Sequence, residues 1–377
     1  MALPPQEIKK YDFIDALRGF AILGVILIHS SYSVLPTNPT LQKLMLEGAR
    51  GVQLFFIVSS FTLCMSWASR SNNETFPIRD FFIRRFFRIA PMFYLAIFLY
   101  IFINGLSPAY WAPNGIKWWF ILTTALFLHG FHPETITSVV PGGWSIAVEM
   151  SFYLVLPFLL PLIKSIKSCL IFFILSLALY TLNSIIIPYL FVYPENQQHL
   201  VQEFTFLNFL SQFPVFIIGI FTYLIFKENF PRRRIAIGGC LLLLILAPLF
   251  WYQPYMHHTI AGGLFSVFAL LLANWPTRLL VNRVTTTLGK LSFSMYLVHF
   301  AVLTCFARLG VNNFFPKGNT SSFLHFLCII FVSAFVSLFS YKCIELPGIA
   351  QGKRLIKMLE QDTAPTPNLA LNPGDTQ

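Results

Sequence analysis

Charge is what this sequence has least of. Only 15 of its 377 residues are acidic, and charged residues of both signs make up 11%, well below what a water-facing surface requires. A soluble globular domain is excluded. The six cysteines (Cys64, Cys169, Cys240, Cys305, Cys328, Cys343) show no CxxC or Cys/His spacing, so neither a zinc site nor a disulfide framework is indicated, and they read as small core residues. The chain also lacks a glycine-rich phosphate loop, a repeat of fixed period and a heptad array. No metal and no nucleic-acid partner is expected.

What fills the chain is apolar surface: 56% of the residues are hydrophobic and 42 are phenylalanine. Apolar runs recur along its whole length, most of them near the ~20 residues that cross a bilayer. The first is no cleavable signal, because Asp15 and Arg18 lie inside it and no small-residue cleavage site ends it. Basic residues sort the loops. Six segments, the first at Lys9 and Lys10 and the last at Lys342 to Lys357, hold 20 of the 26 lysines and arginines, which marks them as cytoplasmic. An even number of crossings must then separate Arg88 from Lys164, yet three apolar runs lie between them. The short run Ile116 to Phe131, with Trp118 and Trp119, is the one that suits an interfacial or re-entrant position. The expectation is an all-α polytopic membrane protein of about ten transmembrane helices, one further short non-spanning segment, and both termini in the cytoplasm. Residues 349–377, ending in a proline-rich polar stretch, read as a disordered cytoplasmic tail.

Ionisable residues inside such helices are costly and point to function. Arg18 and His29 are eleven residues apart, about three turns plus 20°, so they share one helix face with Asp15 and stand about 16 Å apart in depth. Glu149, about two turns into the helix opened by "PGGWSIAVEMSFY", falls by the same count in the outer half of the membrane, where it is expected to face His29 and to orient its imidazole. A buried structural ion pair is the competing reading. Arg84, Arg85 and Arg88 precede a spanning run; guanidinium forks suit phosphate, although a topology anchor or a contact to anionic lipid would need the same residues. His299 is an intramembrane histidine expected to support the site rather than react. Tyr110, Trp111, Trp118 and Trp119 suit either sugar stacking or an interfacial belt.

These stretches, taken in order, resemble the membrane-bound acyltransferase 3 family, whose members include O-acetyltransferases of bacterial surface polysaccharide, lipopolysaccharide and peptidoglycan. "IDALRGFAILGVILIH" is similar to the family's first-helix motif, "GVQLFFIVSSFTL" to its FFxxSG motif and "FFIRRFFRIAPMFY" to its RxxR segment. "GGWSIAVEMSFYLVLP", "LGKLSFSMYLVH" and "CIELP" resemble its later motifs. Two positions depart: Ser60 replaces the usual glycine, where it would tighten the approach of another helix or of the donor, and Gln53 stands where an acidic residue is common.

The resemblance implies a multi-pass protein of the bacterial inner membrane, with an acyltransferase domain over residues 1–348 and no appended extracytoplasmic esterase-like domain. It further implies acyl-CoA, above all acetyl-CoA, as donor and a hydroxyl of a surface glycan or lipid-linked saccharide as acceptor. In that reading the CoA phosphates meet Arg85, Arg88, Arg84 and Arg18, while the pantetheine arm runs past Phe55, Phe56 and Ser59. His29 acts as base or as transient acyl carrier, with Glu149 stabilising it and Trp144 and Ser145 available near the oxyanion. Membrane lipid is a further partner, and oligomerisation is left open. The rival function is a transporter or flippase, which would also need buried charge.

Overall fold

The computed structural model describes residues 11–252 and 257–362; Lys9, Lys10 and the tail beyond residue 362 lie outside them. Bilayer-spanning backbone must satisfy its own hydrogen bonds, and among the described residues no β-strand forms. The chain runs α1 (Asp12–Ser33), α2 (Pro39–Leu46), α3 (Gly51–Arg70), α4 (Pro77–Asn104), α5 (Trp118–Ala125), α6 (Trp144–Leu159) and α7 (Ile166–Leu190). It continues through α8 (Gln198–Leu207), α9 (Phe209–Lys227), α10 (Arg232–Tyr252), α11 (His257–Asn274), α12 (Arg283–Arg308), α13 (Asn319–Ser340) and α14 (Leu346–Asp362).

Nine helical stretches among the described residues are long and apolar enough to cross a membrane, and α6 adds a shorter apolar helix of 16 residues. The expected set of about ten membrane helices therefore holds. The run Ile116 to Phe131 forms only the eight-residue α5 and a 3-10 turn; eight residues rise about 12 Å, too little to cross.

The helices divide by what covers them. The apolar windows of α1 and α12 are 67% and 61% buried, whereas those of α7 and α10 are 11% and 6% buried, so the first pair forms the centre and the second pair faces lipid. Small residues let the central helices close. A Cβ on Gly289 of α12 would overlap the Asp15 carbonyl of α1, and one on Gly19 of α1 would overlap the Thr285 carbonyl of α12. That contact sets the two helices backbone to backbone and fixes where their histidines meet.

Two expectations are corrected. The segment taken as a disordered tail begins as ordered helix: α14 reaches Asp362, and its Gly348 and Gly352 lie against Phe87 and Pro91 of α4. Small residues facing an aromatic and a proline supply the packing that composition alone did not suggest. Of the cysteines, Cys64 and Cys169 are buried in the core, while Cys240, Cys305 and Cys343 are exposed and Cys328 is intermediate. A cysteine side chain is apolar enough to be tolerated at the surface of a membrane bundle as well as in its core.

Candidate active site

Two cavities lie back to back in the bundle. The inner one is narrow, about 100 Å³, and is lined by Arg18, Arg85, Arg88, Phe55, Phe56, Ser59, Ser145 and Glu149 among others. Its three guanidiniums are held differently. Arg18 donates to Thr62 Oγ1 at 3.3 Å and lies 3.6 Å from the Asp15 carboxylate one turn back. Arg88 is 2.7 Å from the buried carboxylate of Glu345, which also accepts from Ser294 Oγ at 2.9 Å. Arg85 has no carboxylate within ion-pair distance among the described residues; its guanidinium lies over the rings of Phe81 and Tyr153, at 5.8 and 6.0 Å. Arg84 turns away, forking onto Glu74 with two bonds of 2.8 Å. Of the expected donor contacts, Arg18, Arg85, Arg88, Phe55, Phe56 and Ser59 therefore share one pocket, and Arg84 is committed outside it.

The outer cavity is larger, about 380 Å³, and contains His29, Gln53, Trp111 and Trp144. His29 Nδ1 lies 3.2 Å from Nε2 of His299, and His299 Nδ1 lies 3.2 Å from the Met295 carbonyl oxygen. A carbonyl can only accept, so in the neutral pair His299 carries its proton on Nδ1 and receives that of His29 on Nε2. This tautomer chain leaves His29 Nε2 with a free lone pair. Phe300 packs on the same ring at 4.4 Å.

Glu149 is not the partner of His29. Its Oε1 accepts from Ser59 Oγ and Tyr153 Oη, each at 2.6 Å, inside the inner pocket. The count along the sequence misses this because of how the chain enters α6. Its N-terminal loop folds into the bundle, where Ser145 Oγ donates to Tyr296 Oη at 2.7 Å and Tyr296 Oη donates to the Gly142 carbonyl at 2.9 Å. Tyr296 lies about one turn inward of Phe300, and Glu149 a further turn inward of Ser145. The loop is held by His129, whose Nε2 donates to the Gly143 carbonyl at 3.0 Å while its ring stacks on Phe93. Burial pushes His129 down to about 4, against the raising effect of that bond, so it serves as a neutral donor.

Val52 and Tyr296 line both cavities and form the partition between them. Trp144 stands on the outer side and Ser145 on the inner. Ser60 faces neither cavity: it is fully buried, bonds back to the Phe56 carbonyl at 2.8 Å, and packs against Gly219 of α9. The serine thus tightens the approach of another helix.

The model of a family described as an acyltransferase domain, of the acyltransferase 3 type, matches residues 11–342. The chain belongs to this acyltransferase family. A Staphylococcus aureus (strain COL) protein provisionally named an O-acetyltransferase is 25% identical over 91% of this chain and 58% of its own length. The peptidoglycan O-acetyltransferase OatA of Listeria monocytogenes is 25% identical over 78% of this chain and 50% of its own length. The O-acetyltransferase OatA of Staphylococcus aureus (strain NCTC 8325) is 23% identical over 92% of this chain and 58% of its own. The chain thus spans roughly half the length of these curated relatives. No solved structure matches at a comparable level.

Three residues that sequence reasoning passed over bear on the two cavities. Glu345 sits in "CIELP" as a carboxylate within an apolar helix, and a single π-helical turn, Tyr341–Glu345, aims it at Arg88. Tyr153 lies four residues after Glu149, a spacing that places both on one helix face. Gln53 left a fainter trace, as a departure from a motif.

Proposed function

We propose that the protein is an integral membrane O-acyltransferase of the bacterial inner membrane. It moves an acyl group, acetyl in the simplest case, from cytoplasmic acyl-CoA to a hydroxyl of an envelope glycan or its lipid-linked precursor. The observation that carries this reading is the pairing of an arginine-lined pocket with a histidine-containing cavity across a partition of Val52 and Tyr296.

The positive-inside distribution supports a cytoplasmic arginine mouth. Arg85 meets the CoA phosphates, being the pocket arginine with no ion-paired carboxylate among the described residues. Arg18 holds the arm below the thioester, and Phe55, Phe56 and Ser59 line it. His29 Nε2 takes the proton of the acceptor hydroxyl as its oxygen attacks the thioester carbon. The C–S bond then breaks, and the sulfur leaves with the proton that the imidazolium returns. His299 fixes the tautomer that makes this possible. Trp144, which lines the same cavity as His29, offers its indole N–H to the developing oxyanion.

Reconstituted protein given radiolabelled acetyl-CoA should release free CoA only when a glycan acceptor is present, and His29→Ala should abolish that release while the protein still binds the donor. Near-normal turnover in His29→Ala would sink the assignment. Movement of an unmodified solute without thioester cleavage would return the protein to the transporter reading.

A further inference from the structure

The outer cavity holds an unsatisfied group that the reaction scheme does not use. Gln53, in the first turn of α3, is 2% exposed and lines the cavity that contains His29. Its amide orientation is determined by its neighbours. Gln212 Nε2 donates to the Phe206 carbonyl at 2.8 Å, which turns Gln212 Oε1 towards Gln53, and Gln53 Nε2 donates to that oxygen at 3.0 Å. The remaining oxygen, Gln53 Oε1, is buried without a hydrogen-bond partner. A buried acceptor of this kind is costly unless a bound molecule, a ligand or an ordered water, satisfies it. Only a donor can do so, an O–H or an N–H. The walls around it are aromatic, Trp111 and Trp144, and Glu203 adds a second acceptor, the combination of flat apolar faces and acceptor oxygens that a sugar ring fits.

We propose that the outer cavity is the acceptor-saccharide site and that the Gln53 carbonyl oxygen accepts a hydrogen bond from a second O–H or N–H of the sugar whose hydroxyl is acylated. This rests on the acyltransferase reading above and adds a residue that selects the acceptor. A site built to pair with a sugar donor group rejects the analogue that lacks it far more strongly than an apolar pocket would.

The test uses proteoliposomes, acetyl-CoA, and a panel of methyl glucoside, methyl galactoside, methyl N-acetylglucosaminide and their monodeoxy analogues, with CoA release as the readout. For the sugar that the wild type uses best, Gln53→Met, which keeps length but loses the oxygen, should raise the sugar KM about tenfold or more and leave the acetyl-CoA KM unchanged. One deoxy analogue that is poor for the wild type should be no worse for this variant. Gln53→Glu, which keeps an acceptor oxygen, should retain use of the sugar. An unchanged sugar KM in Gln53→Met overturns the inference and leaves the acyltransferase reading standing, as does loss of sugar use in a Gln53→Glu protein that binds acetyl-CoA normally. If wild-type protein binds acetyl-CoA and no sugar releases CoA, the glycan reading and this inference fall together.

Discussion

Arg84, Arg85 and Arg88 occupy one helical turn and a half, yet their surroundings differ. Glu74 chelates Arg84, Glu345 neutralises Arg88, and Arg85 faces the pocket over two aromatic rings. A polyanionic donor gains most from the arginine that makes no ion pair among the described residues. Arg85→Ala should therefore raise the apparent KM for acyl-CoA about tenfold or more, the ~1.4 kcal/mol or above of a charge-assisted contact, while Arg84→Ala should change it little. Equal effects in steady-state kinetics would remove the distinction. The cluster itself was visible in the sequence, because three arginines in "FFIRRFFRIAP" stand out from apolar neighbours. Which of them is free was not, since Glu74 and Glu345 reach them from ten residues upstream and from the far end of the chain. The shared face of Arg18 and His29 came directly from helix periodicity. The partnership of His29 with His299 did not, because it depends on how closely two distant helices approach.

At the scale of helices, small residues decide those approaches. Ser60 and Gly219 form a complementary pair: a Cβ on Gly219 would overlap Ser60 Oγ and sit 2.8 Å from the Ile57 carbonyl oxygen. Gly219→Ala should destabilise the α3 to α9 contact by about 1 to 3 kcal/mol, read as a lower unfolding midpoint in detergent. Adding Ser60→Gly should recover part of that loss, giving a coupling of about 0.5 kcal/mol or more. Strict additivity of the two changes would show that they do not meet. Helix existence and type were legible throughout, because hydrocarbon leaves the backbone no alternative. The expected pairing of Glu149 with His29 failed because the loop entering α6 folds into the bundle, where Ser145 and Gly142 bond to Tyr296. The order in α14 was missed because its composition is polar, whereas its position is set by Gly348 and Gly352 against α4.

For the whole molecule, the arrangement that matters is two cavities in series. Arginines line one, His29 lies in the other, and α1 connects them with Arg18 and His29 about 16 Å apart along its axis. Charge placement along the chain was enough to anticipate one basic mouth. It could not reveal the partition, since Val52 and Tyr296 are ordinary membrane residues until α3 and α12 bring them together. In the proposed reaction the acyl group passes from the arginine side to the histidine side. That passage is tested most directly in proteoliposomes of uniform orientation, with acetyl-CoA supplied to one face only and the faces sampled separately. The account predicts that turnover requires acetyl-CoA at the arginine-lined face, that free CoA appears there, and that the acetylated sugar appears at the opposite face. Free CoA and acetylated sugar recovered together on the face that received acetyl-CoA would contradict it.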